Sequence, residues 1–235
     1  MKYIKDYLIF ESLSDDQFFK TKKEVEKWLI KVAGANHGYF KINKDLSVDI
    51  DHVMLGNLNL DYIPVQFRKV NNFFCEKNNL TSLKGCPLEV NSLSIYDNKL
   101  TSLEYCPKEV NNLYCNNNEI TSFDYAPLIK QEFDFSKNRI NTIKNFPFVG
   151  GEIHHNRKFG SSKEDNPISE ILQYIRTDDL NKFIEYANEY NAIINNKVFI
   201  DNFKEALYMI DNGDFYMKNF PFKALYNLKN YTVID

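Results

Sequence analysis

The chain has 235 residues and a mass of 27.7 kDa, enough for one large domain or two small ones. It is 43% hydrophobic and 15% aromatic, so it can bury a core and is not a disordered polymer. Its net charge of -3 argues against general nucleic-acid binding, no run approaches the about 18 apolar residues a membrane helix needs, and only eight glycines leave little room for a phosphate-cradling loop.

At the N-terminus, Lys2, Lys5, Asp6 and Glu11 interrupt or close the only apolar stretch, which does not read as a secretory signal. Thr21 followed by Glu24 has the spacing of a capping box. Val25, Trp28, Leu29 and Val32 then recur at helical spacing, which predicts a helix over 21–33 with Trp28 in its packed stripe. Short strands near 39–42 and 46–50, joined at Asn43-Lys44-Asp45, complete a helix-and-hairpin cap over 1–49.

From Ile50 the chain repeats every twenty residues. Position four of each block is Val53, Phe73, Leu93, Leu113, Phe133 and Ile153, and position six is Leu55, Cys75, Ile95, Cys115, Phe135 and His155. Position nine is Asn78, Asn98, Asn118 and Asn138, with Leu58 in the first block. Position eleven is Leu60, Leu80, Leu100, Ile120 and Ile140, and prolines 87, 107, 127 and 147 stand near the block ends. Apolar positions four and six between polar neighbours predict one short strand per block with one buried face. A single strand cannot bury that face, so the blocks must stack into a parallel sheet over a continuous core. The asparagine is expected to turn inward and satisfy backbone groups of adjacent turns.

The pattern resembles the leucine-rich repeat, LxxLxLxxNxL, in its short bacterial form, over about residues 44–160. The wording CPxEVNxLxCxNNxLTSL, at 86–103 and 106–123, is similar to leucine-rich-repeat proteins of tailed bacteriophages and their bacterial hosts. The resemblance implies an α/β fold: a leucine-rich-repeat solenoid over 50–160 with a parallel sheet on its concave face.

After Gly160 a polar stretch, Gly160 to Asp165, reads as a linker, and Pro167 suits the first turn of a helix. Ile168, Ile171, Leu172 and Ile175 form one helical face, and Leu180, Phe183, Ile184 and Ala187 a second. Val198, Phe199, Phe203, Leu207 and Ile210 suggest a third, and an aromatic tail from Phe215 is expected to pack back as extended chain. Residues 161–235 are thus a mainly helical C-terminal region, either an enlarged cap or a small domain.

Cys75 and Cys115 share position six, and Cys86 and Cys106 share position seventeen, so their phase makes them core thiols; a Cys86–Cys106 bridge is the alternative. No cysteine or histidine spacing matches a metal site, and no catalytic or cofactor motif occurs. Adjacent His154 and His155 point to opposite faces of a strand and do not converge on a metal. Position five of the exposed face reads Met54, Phe74, Ser94, Tyr114, Asp134 and His154, and position seven adds Glu76 and Tyr96. Position eight contributes Lys77, Asp97 and Lys137. Exposed aromatics with mixed charge have the composition of a protein-binding surface. The expectation is a cytoplasmic, non-catalytic protein-binding module with Phe74, Tyr96 and Tyr114 as anchors and Met54, Asp134, His154, Lys77, Asp97 and Lys137 around them. The phage resemblance implies a factor that binds and inhibits or redirects a host protein. The alternatives are a virion-associated structural protein and an activity of the C-terminal region. A ubiquitin ligase of the kind some repeat-bearing effectors carry does not fit, since no cysteine follows Cys115.

Overall fold

The computed structural model describes residues 17–155, 168–194 and 196–235. The expected linker over 160–165, Pro167 and the N-terminal stretch through residue 16 lie outside the described residues. The chain enters through α1 (Lys22–Lys31). Its Thr21–Glu24 capping box is formed: the Thr21 Oγ1 accepts from the Glu24 N–H at 3.3 Å, and a Glu24 carboxylate oxygen accepts from the Thr21 N–H at 2.9 Å. Val25 and Leu29 are buried, and Trp28 is half-buried with its ring 6.4 Å from that of Phe19. Val32, expected in the packed stripe, is the exposed C-cap residue just past this helix, because the chain leaves the core there.

Strands β1 (Phe40–Ile42) and β2 (Val48–Met54) form the expected hairpin, and β2 runs on into the first repeat. β3 (Phe67–Phe74), β4 (Glu89–Ser94), β5 (Glu109–Tyr114), β6 (Leu128–Asp134) and β7 (Ile153–His154) follow, and β2 to β7 pair in parallel and in chain order. Val53, Phe73, Leu93, Leu113, Phe133 and Ile153 lie side by side in register and are buried, as are the position-six residues from Leu55 to Phe135. The molecule is therefore a solenoid of about five twenty-residue turns.

The four position-nine asparagines tie these turns together. The Asn118 amide donates to Ile95 O and Cys115 O, each at 3.0 Å, and its Oδ1 accepts from the Leu100 N–H at 3.0 Å. Asn98 and Asn138 repeat the same three bonds one turn before and after. Asn78 makes the same three bonds at the first turn, and there, where Leu58 replaces the asparagine, its Oδ1 accepts from the Leu58 N–H as well. Each amide thus pairs backbone groups that curve away from the sheet and are closed off from water.

One departure from strict periodicity appears at β6. Position one is Ile50, Val70, Val90 and Val110, then Lys130, which does not enter the core. Ile129 takes the place opposite Val110, the register slips by one residue, and it recovers at Glu132. Lys130 stays outside and pairs with Glu109 at 2.8 Å. The displaced backbone approaches the next turn so closely that a Cβ at Gly150 or Gly151 would lie 2.4 or 2.3 Å from a carbonyl oxygen of Lys130 or Gln131.

The C-terminal region covers the open end. It comprises α2 (Ser169–Leu172), a 3-10 turn at 177–179, α3 (Leu180–Glu189), β8 (Ile193–Ile194), β9 (Lys197–Phe199), α4 (Ile200–Asp211), α5 (Tyr216–Asn219), α6 (Phe222–Leu225) and β10 (Thr232–Ile234). The expected apolar faces at 168–175 and 180–187 are buried. The third face begins later than expected, because Val198 and Phe199 belong to a strand. The tail is two short helices followed by β10, which pairs with β9 in parallel, rather than extended chain throughout. Its anchor is buried Tyr216, whose hydroxyl donates to Asp179 at 2.8 Å and accepts from the Arg176 N–H at 3.0 Å.

This region supplies the bonds that another turn would have made. Within the solenoid, the N–H of Asn79, Lys99, Glu119 and Arg139 each bonds to the position-eleven carbonyl one turn back. Ile168 continues that series by donating to Ile140 O at 2.9 Å. The Asn181 amide donates to Val149 O at 2.6 Å, Tyr231 donates to Asn141 O at 2.7 Å and Ser169 to His155 O at 2.6 Å. The apolar residues of cap, solenoid and C-terminal region form one continuous buried cluster.

All four thiols are free, three of them buried and Cys106 half-buried. Burial pushes Cys75 and Cys106 up to about 12 and raises Cys86 and Cys115 as well. Since the thiolate is the reactive form, a disulfide-exchange reagent should modify the native protein slowly, Cys106 first, and titrate four thiols once urea unfolds it. Rapid reaction of two or more thiols in the native state would contradict this packing.

Candidate functional site

The exposed strand face is built by alternation: side chains at positions three, five and seven point away from the core formed by positions four and six. The position-five row runs Met54, Phe74, Ser94, Tyr114, Asp134 and His154, neighbours by register on successive strands. Met54 is exposed, and Phe74, Tyr114 and His154 are half-buried. Tyr96 stands in the adjacent position-seven row and is also half-buried.

Asp134 is a correction. Expected on the surface, it is 0% exposed, and Ser94 is buried too. Strands about 4.8 Å apart bring neighbouring side chains into contact, so a small residue flanked by large ones is covered. Ser94 stands between Phe74 and Tyr114, and Asp134 between Tyr114 and His154. Asp134 also turns onto Ser136, accepting from its N–H at 3.1 Å and its hydroxyl at 2.7 Å. The position-eight residues do not line the face either. Lys77, Asp97, Asn117 and Lys137 have φ of 56, 54, 56 and 55°, a left-handed turn that ends each strand and swings the chain into the buried asparagine. Lys77, Asp97 and Lys137 therefore stand on the rim, where Asp97 accepts a bond from the Asn117 amide.

At the C-terminal half of the face the side chains form a network. The Tyr114 hydroxyl donates to Glu132 Oε2 at 2.5 Å. His154 Nε2 lies 3.1 Å from Glu132 Oε1 and 3.4 Å from Glu152 Oε2. Burial and the Glu132 carboxylate push the Tyr114 phenol up to about 12, so it stays a donor. Glu132 and Glu152 occupy position three of neighbouring turns, a doubled acid visible in the sequence, but the diagonal link to Tyr114 and His154 depends on register. Toward the other end, Glu76 leans over Gly56, where a Cβ would lie 2.7 Å from its Oε1. Among the described residues, no group of three or more His, Cys, Asp or Glu side chains is arranged to hold a metal ion.

A second surface feature is an open groove of about 1300 Å³ along the strand starts, lined by Tyr39, Lys41, Asp51, Lys69, Glu89 and Lys108 among others. Its charges alternate in sign, and Lys69 and Glu89 face each other at 3.9 Å.

No protein-family model, curated protein or solved structure matches the chain. No described helix is long and apolar enough to cross a membrane. The face thus presents half-buried aromatic rings and an oriented network of acids.

His155, by contrast, occupies position six and points to the core side, its ring centre 6.4 Å from that of Phe135. Burial, with His154 beside it, lowers it from 6.5 to about 4. The unfolded chain therefore takes up this proton as the pH falls through about 6.5 while the folded chain does not, so stability is lost between about pH 6.5 and 4. Acidification from about pH 7 to about pH 5 should cost the parent about 2 kcal/mol more than His155→Leu, read from urea melts at both pH values. Parallel loss in the two proteins would contradict the burial of this ring.

Proposed function

We propose that the chain is a leucine-rich-repeat-type protein-binding module with no catalytic role, working through the strand face between Met54 and His154. The observation that carries this reading is the position-five row, in which Phe74 and Tyr114 remain half-exposed on either side of the covered Ser94. Core packing already belongs to positions four and six, so the fold does not depend on these half-exposed rings. Rigid aromatics on a stiff sheet lose little entropy when they fill a partner's pockets. A host-directed role, in which a phage-encoded factor inhibits or redirects a bacterial protein, rests on the resemblance of the repeat wording alone.

Replacing Phe74 and Tyr114 together by Ala tests the reading. A partner captured from host lysate and then purified should bind the double variant at least about 2 kcal/mol, or thirtyfold, more weakly than the parent. The variant should keep a cooperative melt, with a loss of stability of about 1–2 kcal/mol from half-buried surface. Unchanged affinity would remove the strand face as the site and turn attention to the region after Ile168.

A further inference from the structure

The charges on this face are not distributed as on the rest of the molecule. The chain carries 29 lysines and arginines. None of them stands at positions three, five or seven from His52 to His154, whereas Glu76, Glu132, Asp134 and Glu152 do. Elsewhere several carboxylates meet lysine or arginine: Asp49 meets Arg68, Glu109 meets Lys130, Glu119 meets Arg139 and Asp179 meets Arg176. On the face, Glu132 is met by a phenol and an imidazole, and Asp134 by a serine. Glu76 Oε2 is enclosed by protein and has no hydrogen-bond partner, two residues from Phe74 on the same face.

The aromatics have the matching chemistry. Phe74 and Tyr114 are two strand spacings apart, about 10 Å, with only the small, covered Ser94 between them. A long aliphatic stem fits between two such rings and its cationic head gains from the ring faces, while a neighbouring cation of the same segment would meet the carboxylates on the next two strands. Glu152 is the most accessible of these acids, with 76% of its side chain exposed, and Glu132 is held in place by the Tyr114 hydroxyl. The groove along the strand starts carries both signs and selects neither. Phosphate-bearing polymers are repelled by the face.

We infer that the strand face recognises a cationic segment of a protein partner, with one Lys or Arg stem laid between Phe74 and Tyr114 and further cationic side chains of the same segment meeting Glu132 and Glu152 on the next two strands. This rests on the reading of the face as a protein-binding surface and adds the chemistry of what it binds.

The probe is a random dodecapeptide library displayed on phage particles and panned on the purified full chain. The recovered peptides are then synthesised and titrated by fluorescence anisotropy. They should be enriched in Lys and Arg and depleted in Asp and Glu. Glu132→Gln with Glu152→Gln should weaken them about tenfold or more, since the pair removes charge while keeping shape. Glu185→Gln with Glu205→Gln, exposed on α3 and α4, makes the same change in net charge and should leave them unaffected. Neutral or acidic peptides, no peptide above the bare-support background, or equal weakening by the control pair would overturn the inference. Binding lost in Phe74→Ala with Tyr114→Ala but kept in the glutamine pair would preserve the protein-binding face and overturn its cationic selectivity. Binding kept in both would overturn both. Glu152→Gln alone, at a largely exposed position, guards against a folding defect of the pair.

Discussion

A chain that turns every twenty residues must bend its backbone out of the sheet at each strand end, and the groups exposed by the bend point into an apolar interior. The asparagine at position nine resolves this conflict. Its amide nitrogen donates to two carbonyls, one on its own turn and one on the turn before, while its oxygen accepts from an N–H of that earlier turn. No other side chain of that size offers both donor and acceptor in one plane. The bonds run between turns, so each asparagine sets the spacing of its neighbours as well as its own bend. The left-handed residue before it, at Lys77, Asp97, Asn117 and Lys137, is the local strain that this ladder holds in place.

The two ends follow from the same constraint. A stack of turns presents unpaired backbone and apolar side chains wherever it stops. At the start, the Gln17 amide reaches Ile63 O at 2.7 Å and Phe19 N–H reaches Pro64 O at 3.1 Å, while α1 covers the core with Val25 and Leu29. At the other end, Ile168, Asn181 and Tyr231 donate to carbonyls of the last turns. With the core closed at both ends, the strand face need not contribute apolar burial. Its composition is then free for the proposed recognition, to which the half-exposed rings and the absence of lysine and arginine belong.

Much of this was legible before any coordinate. The phase of Val53, Leu55, Asn78 and Leu60 identified the parallel strands and the inward asparagines, because each column repeats one physical role. The capping box at Thr21 and the helical faces at Ile171 and Phe183 were legible for the same reason: their signals are local. What escaped depended on neighbours. Ser94 and Asp134 sit in an outward column, and only the size of the residues on adjacent strands buries them. The slip at Ile129 arises because Lys130 breaks the apolar column, a conflict visible in the sequence whose resolution was not. The β8–β9 hairpin had a signal in Asn195-Asn196 between two apolar runs, overlooked beside the helical pattern. The Tyr114–Glu132–His154 network crosses strands diagonally, and one-dimensional spacing does not encode a diagonal.

The central claim is that the buried asparagine ladder, rather than apolar stacking alone, holds the turns together. Asn118→Leu addresses it most directly, since Asn118 is 0% exposed and leucine keeps the number and branching of its side-chain heavy atoms while removing every donor and acceptor. Urea unfolding of parent and variant should show the same cooperative transition with a stability loss of about 3 kcal/mol, because Leu100 N–H, Ile95 O and Cys115 O lose their partner together. A variant as stable as the parent to within about 0.5 kcal/mol would contradict the account.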